Sequence, residues 1–222
     1  MSANKSLSVI YLASYFIQLL LLLLTISIFY SKSWKISDIE GDVIEVYDST
    51  EGLFTKCQHF PNKYDCEDFD QFFIALPSSI IAARILLYIS LTTQTIAVVI
   101  VPFAFECIKI VDDFHTRACF FRYAGILVGI GAISVGISVS WYAHHVIEEY
   151  FHHTEAGNYR YLWGIALYLG WIDMAGLLFI GLLTWFLPIL EYKMTHRMDL
   201  DFEEKIDSRM ENFIETYKDD FI

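Results

Sequence analysis

The sequence predicts a mainly α membrane protein, a bundle of four transmembrane helices with a structured external loop. Three observations predict it. More than half of the 222 residues are apolar, at 55%, which is high for a soluble domain of this length. The apolar residues are clumped into four charge-poor runs. A polar, acidic stretch with a cysteine pair separates the first two runs.

The first run, Leu7 to Tyr30, holds no charged residue. It exceeds the ~7–15 residues of a signal-peptide core and no A-x-A-like site follows, so it reads as a retained helix. The second, Ile74 to Phe105, carries only Arg84, and Pro77 suits the first turn of a helix. The third, Cys119 to Ala143, carries only Arg122, and its helix is expected to continue past Trp141 through Glu149. The fourth, Leu162 to Leu190, carries only Asp173. Crossing the hydrocarbon core takes about 20 apolar residues, so the expected spans are residues 7–30, 74–105, 119–147 and 162–190. The loops between them are 31–73 and 148–161 outside and Glu106–Ala118 inside. Residues 1–190 form one four-span domain, and 191–222 form an acidic tail.

The first loop holds Cys57 and Cys66 and ten acidic residues from Asp38 to Asp70. Such a pair can staple a loop only in an oxidising compartment, so this loop should face outside. Lysine and arginine near the middle loop add a mild vote for that loop being cytoplasmic. Both termini are then cytoplasmic. Val43-Ile44-Glu45-Val46-Tyr47 is β-branched and lies between the turn-like Gly41-Asp42 and Asp48-Ser49, so strands are expected here. Trp34, Trp141 and Trp163 fall near the outer boundary, where indole rings favour the headgroup level.

The formal net charge is −12. Nucleic acid is excluded as a partner, because neutralising phosphates needs basic surface. An acidic external loop instead attracts cations. No nucleophile–base constellation stands out, so no enzyme and no cofactor are expected. Small residues punctuate the third and fourth spans, and Gly125-x-x-x-Gly129 permits close helix approach, within the bundle or at a dimer face. In the tail, Ile206, Met210, Phe213, Tyr217 and Phe221 recur at three- and four-residue spacing, the pattern of an amphipathic helix. A disordered tail and a partner-binding helix are both open.

Trp34, Gly52-Leu53-Phe54, Cys57 and Cys66 in the first loop resemble the claudin signature W…G-L-W-x2-C-x8-10-C. Ile74-Ala75-Leu76-Pro77 with Ala82-Ala83-Arg84 is similar to the family's entry to the second span. Val139-Ser140-Trp141-Tyr142-Ala143 and Leu167-Tyr168-Leu169-Gly170-Trp171 resemble its third- and fourth-span motifs. The resemblance covers Leu7 to Leu190. Phe54 departs from it, standing where the family has a second tryptophan. The chain's end, Phe221-Ile222, departs from the usual Tyr-Val.

The resemblance implies a small extracellular antiparallel β-sheet from both external loops, capping the bundle. It implies a Cys57–Cys66 disulfide and a sheet anchored to the bundle rim by Trp34, Gly52, Leu53 and Phe54. Arg84 would hydrogen-bond the sheet. It implies a plasma-membrane protein at cell–cell junctions that self-associates in cis and trans, alone or with other claudin-like proteins, within membrane lipid. The alternative is an auxiliary channel subunit or membrane-organising tetraspan of the same superfamily. Asp65, Glu67 and Asp68 flank the second cysteine, where the family commonly faces its pore, so they are the candidates for cation selectivity. An ordinary solvated acidic face is the competing reading.

Three further sets carry open alternatives. His144, His145, Glu148, Glu149, His152 and His153 form pairs four residues apart on one helix. A metal needs three or four converging ligands, so no metal site is expected and the choice lies between a pH-sensitive cluster and plain packing. Cys107 and Cys119 are juxtamembrane, open to palmitoylation or structural. Asp220-Phe221-Ile222 could enter a PDZ-type groove by strand addition. Asp173 is expected to be satisfied by packing or to serve ion transport.

Overall fold

The computed structural model describes the chain except residues 1, 39–47, 61–62, 70–75, 104–113, 153–159 and 220–222. Val43–Tyr47, Cys107, His153 and Asp220-Phe221-Ile222 therefore lie outside the described residues. Four helices dominate: α1 (Ser2–Phe29), α2 (Ser78–Phe103), α3 (Phe114–His152) and α4 (Ile165–Asp219). Each contains a stretch long and apolar enough to cross a membrane: Ser8–Phe29, Ser78–Phe103, His115–Phe151 and Ile165–Met194.

These helices expose large apolar side chains around most of their girth, Leu20, Ile85, Ile133 and Phe179 among them. A soluble helix would bury such a stripe; here lipid is the solvent. Much of what the helices bury against one another is small, Ala83, Ala97, Ala124, Val128, Ala132, Val135 and Val139, alongside larger residues such as Leu87, Leu167 and Leu177. Packing between spans depends on close approach rather than on escape from water. α3 sits at the centre, packing most extensively on α2 and α4, and α1 packs on α4 and α2. A Cβ added at Gly125 would meet the Gly181 carbonyl oxygen at 2.8 Å, and one at Gly181 would lie 3.3 Å from the Gly129 nitrogen. Gly125 and Gly181 thus let the third and fourth helices approach closely within one chain, whereas a Cβ at Gly129 would meet nothing within 4 Å.

Five strands form one antiparallel sheet at the end of the bundle between α1 and α2: β1 (Lys35–Asp38), β2 (Asp48–Glu51), β3 (Thr55–Phe60), β4 (Lys63–Asp68) and β5 (Arg160–Trp163). Their order is β4-β3-β2-β1-β5. The second external loop thus adds its strand to the first loop's sheet, with Lys35 opposite Trp163 and Ser37 opposite Tyr161. Among the described residues, β4 is the edge strand at the other side.

One expectation changes, and one of the two readings open for the tail is met. The fourth helix starts at Ile165, not at 162, because Leu162 and Trp163 are strand residues paired to β1. Gly164 makes the corner, where its nitrogen donates to Trp34 O at 2.9 Å. Its absent Cβ would collide with the Ser33 carbonyl. The tail is helical through Asp219, continuous with the fourth span. The third helix runs through Glu149 to His152 as the sequence indicates.

Candidate functional site

The five-stranded sheet and its seat on the bundle form the candidate site. Cys57 and Cys66 stand directly opposite on β3 and β4, bonded as a disulfide with their Cα atoms 4.1 Å apart. Cys57 is buried and Cys66 exposed, so the bond ties the sheet interior to its edge strand.

Side chains alternate between the two faces of a strand. Asp65 and Glu67 consequently share one face of β4, and Asp68 lies on the other with Cys66. Glu67 and Asp68 are exposed and Asp65 is half-buried. Asp65 pairs across to Gln58 and Glu67 to Lys56. The three acids thus lie at one edge but are not one carboxylate row, and Lys56 partly offsets one of them.

The family signature forms the seat. Trp34 is wholly buried, its Nε1 donating to Ile28 O at 3.0 Å and its ring edge-on to Tyr142 at 5.1 Å. Trp34 is thus packed inside the protein rather than exposed at its rim. An indole with an internal acceptor and a closed apolar surround has no use for the interface. Trp141, by contrast, is 55% exposed. Gly52 is required by space: a Cβ there would meet the Ser31 carbonyl and lie 2.8 Å from the Lys32 Cα. Leu53 is fully buried, and its carbonyl oxygen accepts from Arg84 Nε at 2.9 Å. The Arg84 guanidinium lies 4.7 Å from the Phe54 ring centre. Phe54 also packs edge-on against Phe29 and stacks on Tyr30. One arginine near the top of α2 thereby holds the β2–β3 turn by hydrogen bonds and a cation–π contact, which places its charge against protein rather than lipid.

A second anchor was not visible in the sequence. Lys35, 7% exposed, reaches Glu51 Oε2 at 3.2 Å and Glu149 Oε2 at 2.7 Å, with its ammonium 4.2 Å from the Tyr161 ring centre. It joins β1, β2, β5 and the external end of α3. Burial opposes its charge, but Glu51 and then Glu149 outweigh that and hold its pKa above the ordinary lysine value. His145 extends the group, with Nδ1 3.5 Å from Glu149 Oε1.

The histidine cluster divides accordingly. His145 and Glu149 turn towards the sheet, while His144 and Glu148 are exposed and 3.8 Å apart. His152 ends α3, and nothing is described of its side chain. Among the described residues no three metal-ligating side chains converge. Cys119 is a free, exposed thiol near the start of α3.

Deep in the bundle, Asp173 is fully buried and its Oδ2 accepts from Thr25 Oγ1 at 2.7 Å. Gln94 Nε2 donates to Thr25 Oγ1 at 3.0 Å and to Ser90 Oγ at 2.9 Å. This polar cluster pins α4 to α1 and α2. Asp173 thus has a packing partner.

The family model for the PMP-22/EMP/MP20/Claudin family matches residues 6–184. The chain belongs to this family. Among curated relatives it is 27% identical to human Claudin-4 over 150 residues, covering 67% of this chain and 71% of the relative. It is 30% identical to mouse Claudin-9 over 140 residues, 62% of this chain and 64% of that protein. It is 24% identical to mouse Claudin-7 over 180 residues, 79% and 85% respectively. With its four membrane-length helices it is a claudin-like multi-pass membrane protein. The claudin-family match takes in the bundle and sheet but ends within α4, before the tail.

Proposed function

We propose that this chain is a cell–cell junction protein that assembles side by side in one membrane and across to the opposing cell, forming a paracellular barrier permissive to cations. The observation that carries the ionic part is the β4 edge with Asp65, Glu67 and Asp68 beside the disulfide. Carboxylates on a wet, confined wall draw cations and repel anions. The disulfide and the two anchors at Arg84 and Lys35 hold that edge at a fixed height above the membrane, as a shared wall requires. For side-by-side contact the outer rim offers an apolar hollow of about 480 Å³, lined by Tyr150, Phe151, Tyr161, Leu162 and Tyr168.

The cysteine pair supports an orientation with the sheet outside and both termini in the cytoplasm. The role is structural and permeability-setting rather than catalytic. Exposed Cys119 would take an acyl chain, and a PDZ-type scaffold would take Asp220-Phe221-Ile222 by strand addition. The test is an epithelial layer expressing the chain with Asp65→Asn, Glu67→Gln and Asp68→Asn. The sodium-to-chloride permeability ratio should fall towards that of free diffusion. An unchanged ratio sinks the cation reading and leaves a sealing barrier.

A further inference from the structure

α4 continues well beyond its membrane stretch. The apolar segment stops at Met194, yet the helix runs unbroken to Asp219, about 25 residues or roughly 37 Å further at 1.5 Å per residue. Every side chain described from Phe202 to Glu211 is exposed, so the bundle does not cover this extension. An isolated helix of this kind is marginal in water, and stability normally comes from packing an apolar face.

Such a face exists. Phe202, Ile206 and Met210 are 66%, 44% and 55% exposed, and at about 100° per residue they fall within one stripe less than a quarter-turn wide. The sequence continues that stripe at Phe213 and Tyr217. The flanks of the stripe differ in sign. Glu203 and Asp207 lie along one side, and Lys205 and Arg209 along the other. Each flank sets like charges four residues apart, which disfavours a solitary helix. Asp201 precedes Lys205 by four residues and offsets part of the basic flank, whereas Glu203 and Asp207 have no basic residue three or four positions away.

We propose that the occupant is a second copy of this chain, its tail helix lying parallel in the cytoplasm. Two copies in one membrane send their tails in the same direction. In a parallel pair, opposite flanks of the two helices face each other, so the acidic flank of each copy meets the basic flank of the other. An antiparallel pair would set like against like. A basic partner helix would leave Lys205 and Arg209 opposed, and an anionic membrane surface would repel the acidic flank. The contact is independent of the barrier reading, since it needs no opposing cell.

The test uses full-length chains in the membranes of non-adherent cells, with Cys107→Ser and Cys119→Ser removing the two cysteines outside the disulfide. Ile206→Cys should give a disulfide-linked dimer on mild oxidation, whereas Glu204→Cys, on the far side of the helix, should not. Two differently tagged charge variants, each also carrying Ile206→Cys, then decide the pairing. E203K/D207K has two basic flanks and K205E/R209E has two acidic flanks. Each alone should crosslink through the thiol introduced by Ile206→Cys several-fold less than the parent, and coexpression should restore a mixed dimer. Equal self-crosslinking of either variant and the parent, or equal crosslinking at positions 204 and 206, overturns the proposal. So does an Ile206→Cys chain that crosslinks to another protein but never to itself. Surface labelling of the external loop verifies that each variant reaches the membrane.

Discussion

Replacing Lys35 with methionine removes the one cation at the centre of the sheet's second anchor and leaves Glu51 and Glu149 facing each other. At an effective dielectric near 20, an ion pair at about 3 Å is worth roughly 5 kcal/mol before desolvation. Burying the charges cancels much of that, so the intact group adds little net stability. Breaking it is a different matter. Removing one partner of a buried pair costs about 3–5 kcal/mol, because a charge is left uncompensated. For a unit of this size that corresponds to a melting midpoint lower by roughly 6–20 °C. The triple variant K35M/E51Q/E149Q removes all three charges and should recover most of the loss. The pH dependence has a definite sign. Lys35 has a pKa raised above 10.5, so its contribution is fully present below that pH and is lost as pH rises through the raised value. The parent should therefore show an alkaline fall in melting midpoint that K35M lacks. Thermal melts of detergent-purified protein, followed at neutral pH and at strongly alkaline pH, read both effects. If K35M melts within about 1 kcal/mol of the parent, or no lower than the triple variant, the anchor contributes nothing and the reasoning fails.

Other consequences are narrower. Gly52→Ala drives a methyl into the Ser31 carbonyl and the Lys32 backbone, which cannot yield as a flexible side chain would; surface delivery should drop, and a serine there should be no better. Asp173→Asn keeps the acceptor for Thr25 and should melt within about 1 kcal/mol of the parent, whereas Thr25→Val strips the buried acid of its donor at a cost of roughly 1–3 kcal/mol. Phe54→Trp retains an aromatic face for Arg84 and should be tolerated, while Phe54→Ala should lower the melting midpoint. Cys57→Ser with Cys66→Ser gives up loop-closure entropy of roughly 2–3 kcal/mol, read as a lower melting midpoint under non-reducing conditions only.

The spans were legible because a hydrocarbon solvent forbids charge, and each of the four runs carries at most one charged residue. The same simplicity hid the start of α4. Leu162 and Trp163 are as apolar as the helix that follows, and only their pairing with β1 marks them as strand. Trp34 reads as an interfacial indole by position, but its environment is made by Ile28 and Tyr142, which sequence distance does not reveal. Lys35 is the extreme case. Its partners lie sixteen positions away on a neighbouring strand and 114 positions away on α3, and nothing in a lysine's local sequence announces burial. The histidine pairs were visible as spacing. Which pair turns inward depends on where the sheet sits, and Glu149 faces Lys35 there. The order of the three edge acids was plain, but their division between two faces required knowing that they lie on a strand.

The most direct test of junction formation is mixed culture of non-adherent cells that lack junction strands. Cells expressing the tagged chain are plated with cells that do not. The chain should be enriched at contacts between two expressing cells, with strands in the membrane there, and not at contacts with non-expressing cells. Uniform distribution over the surface, with no strands at shared contacts, would contradict it and favour a subunit acting within a single cell.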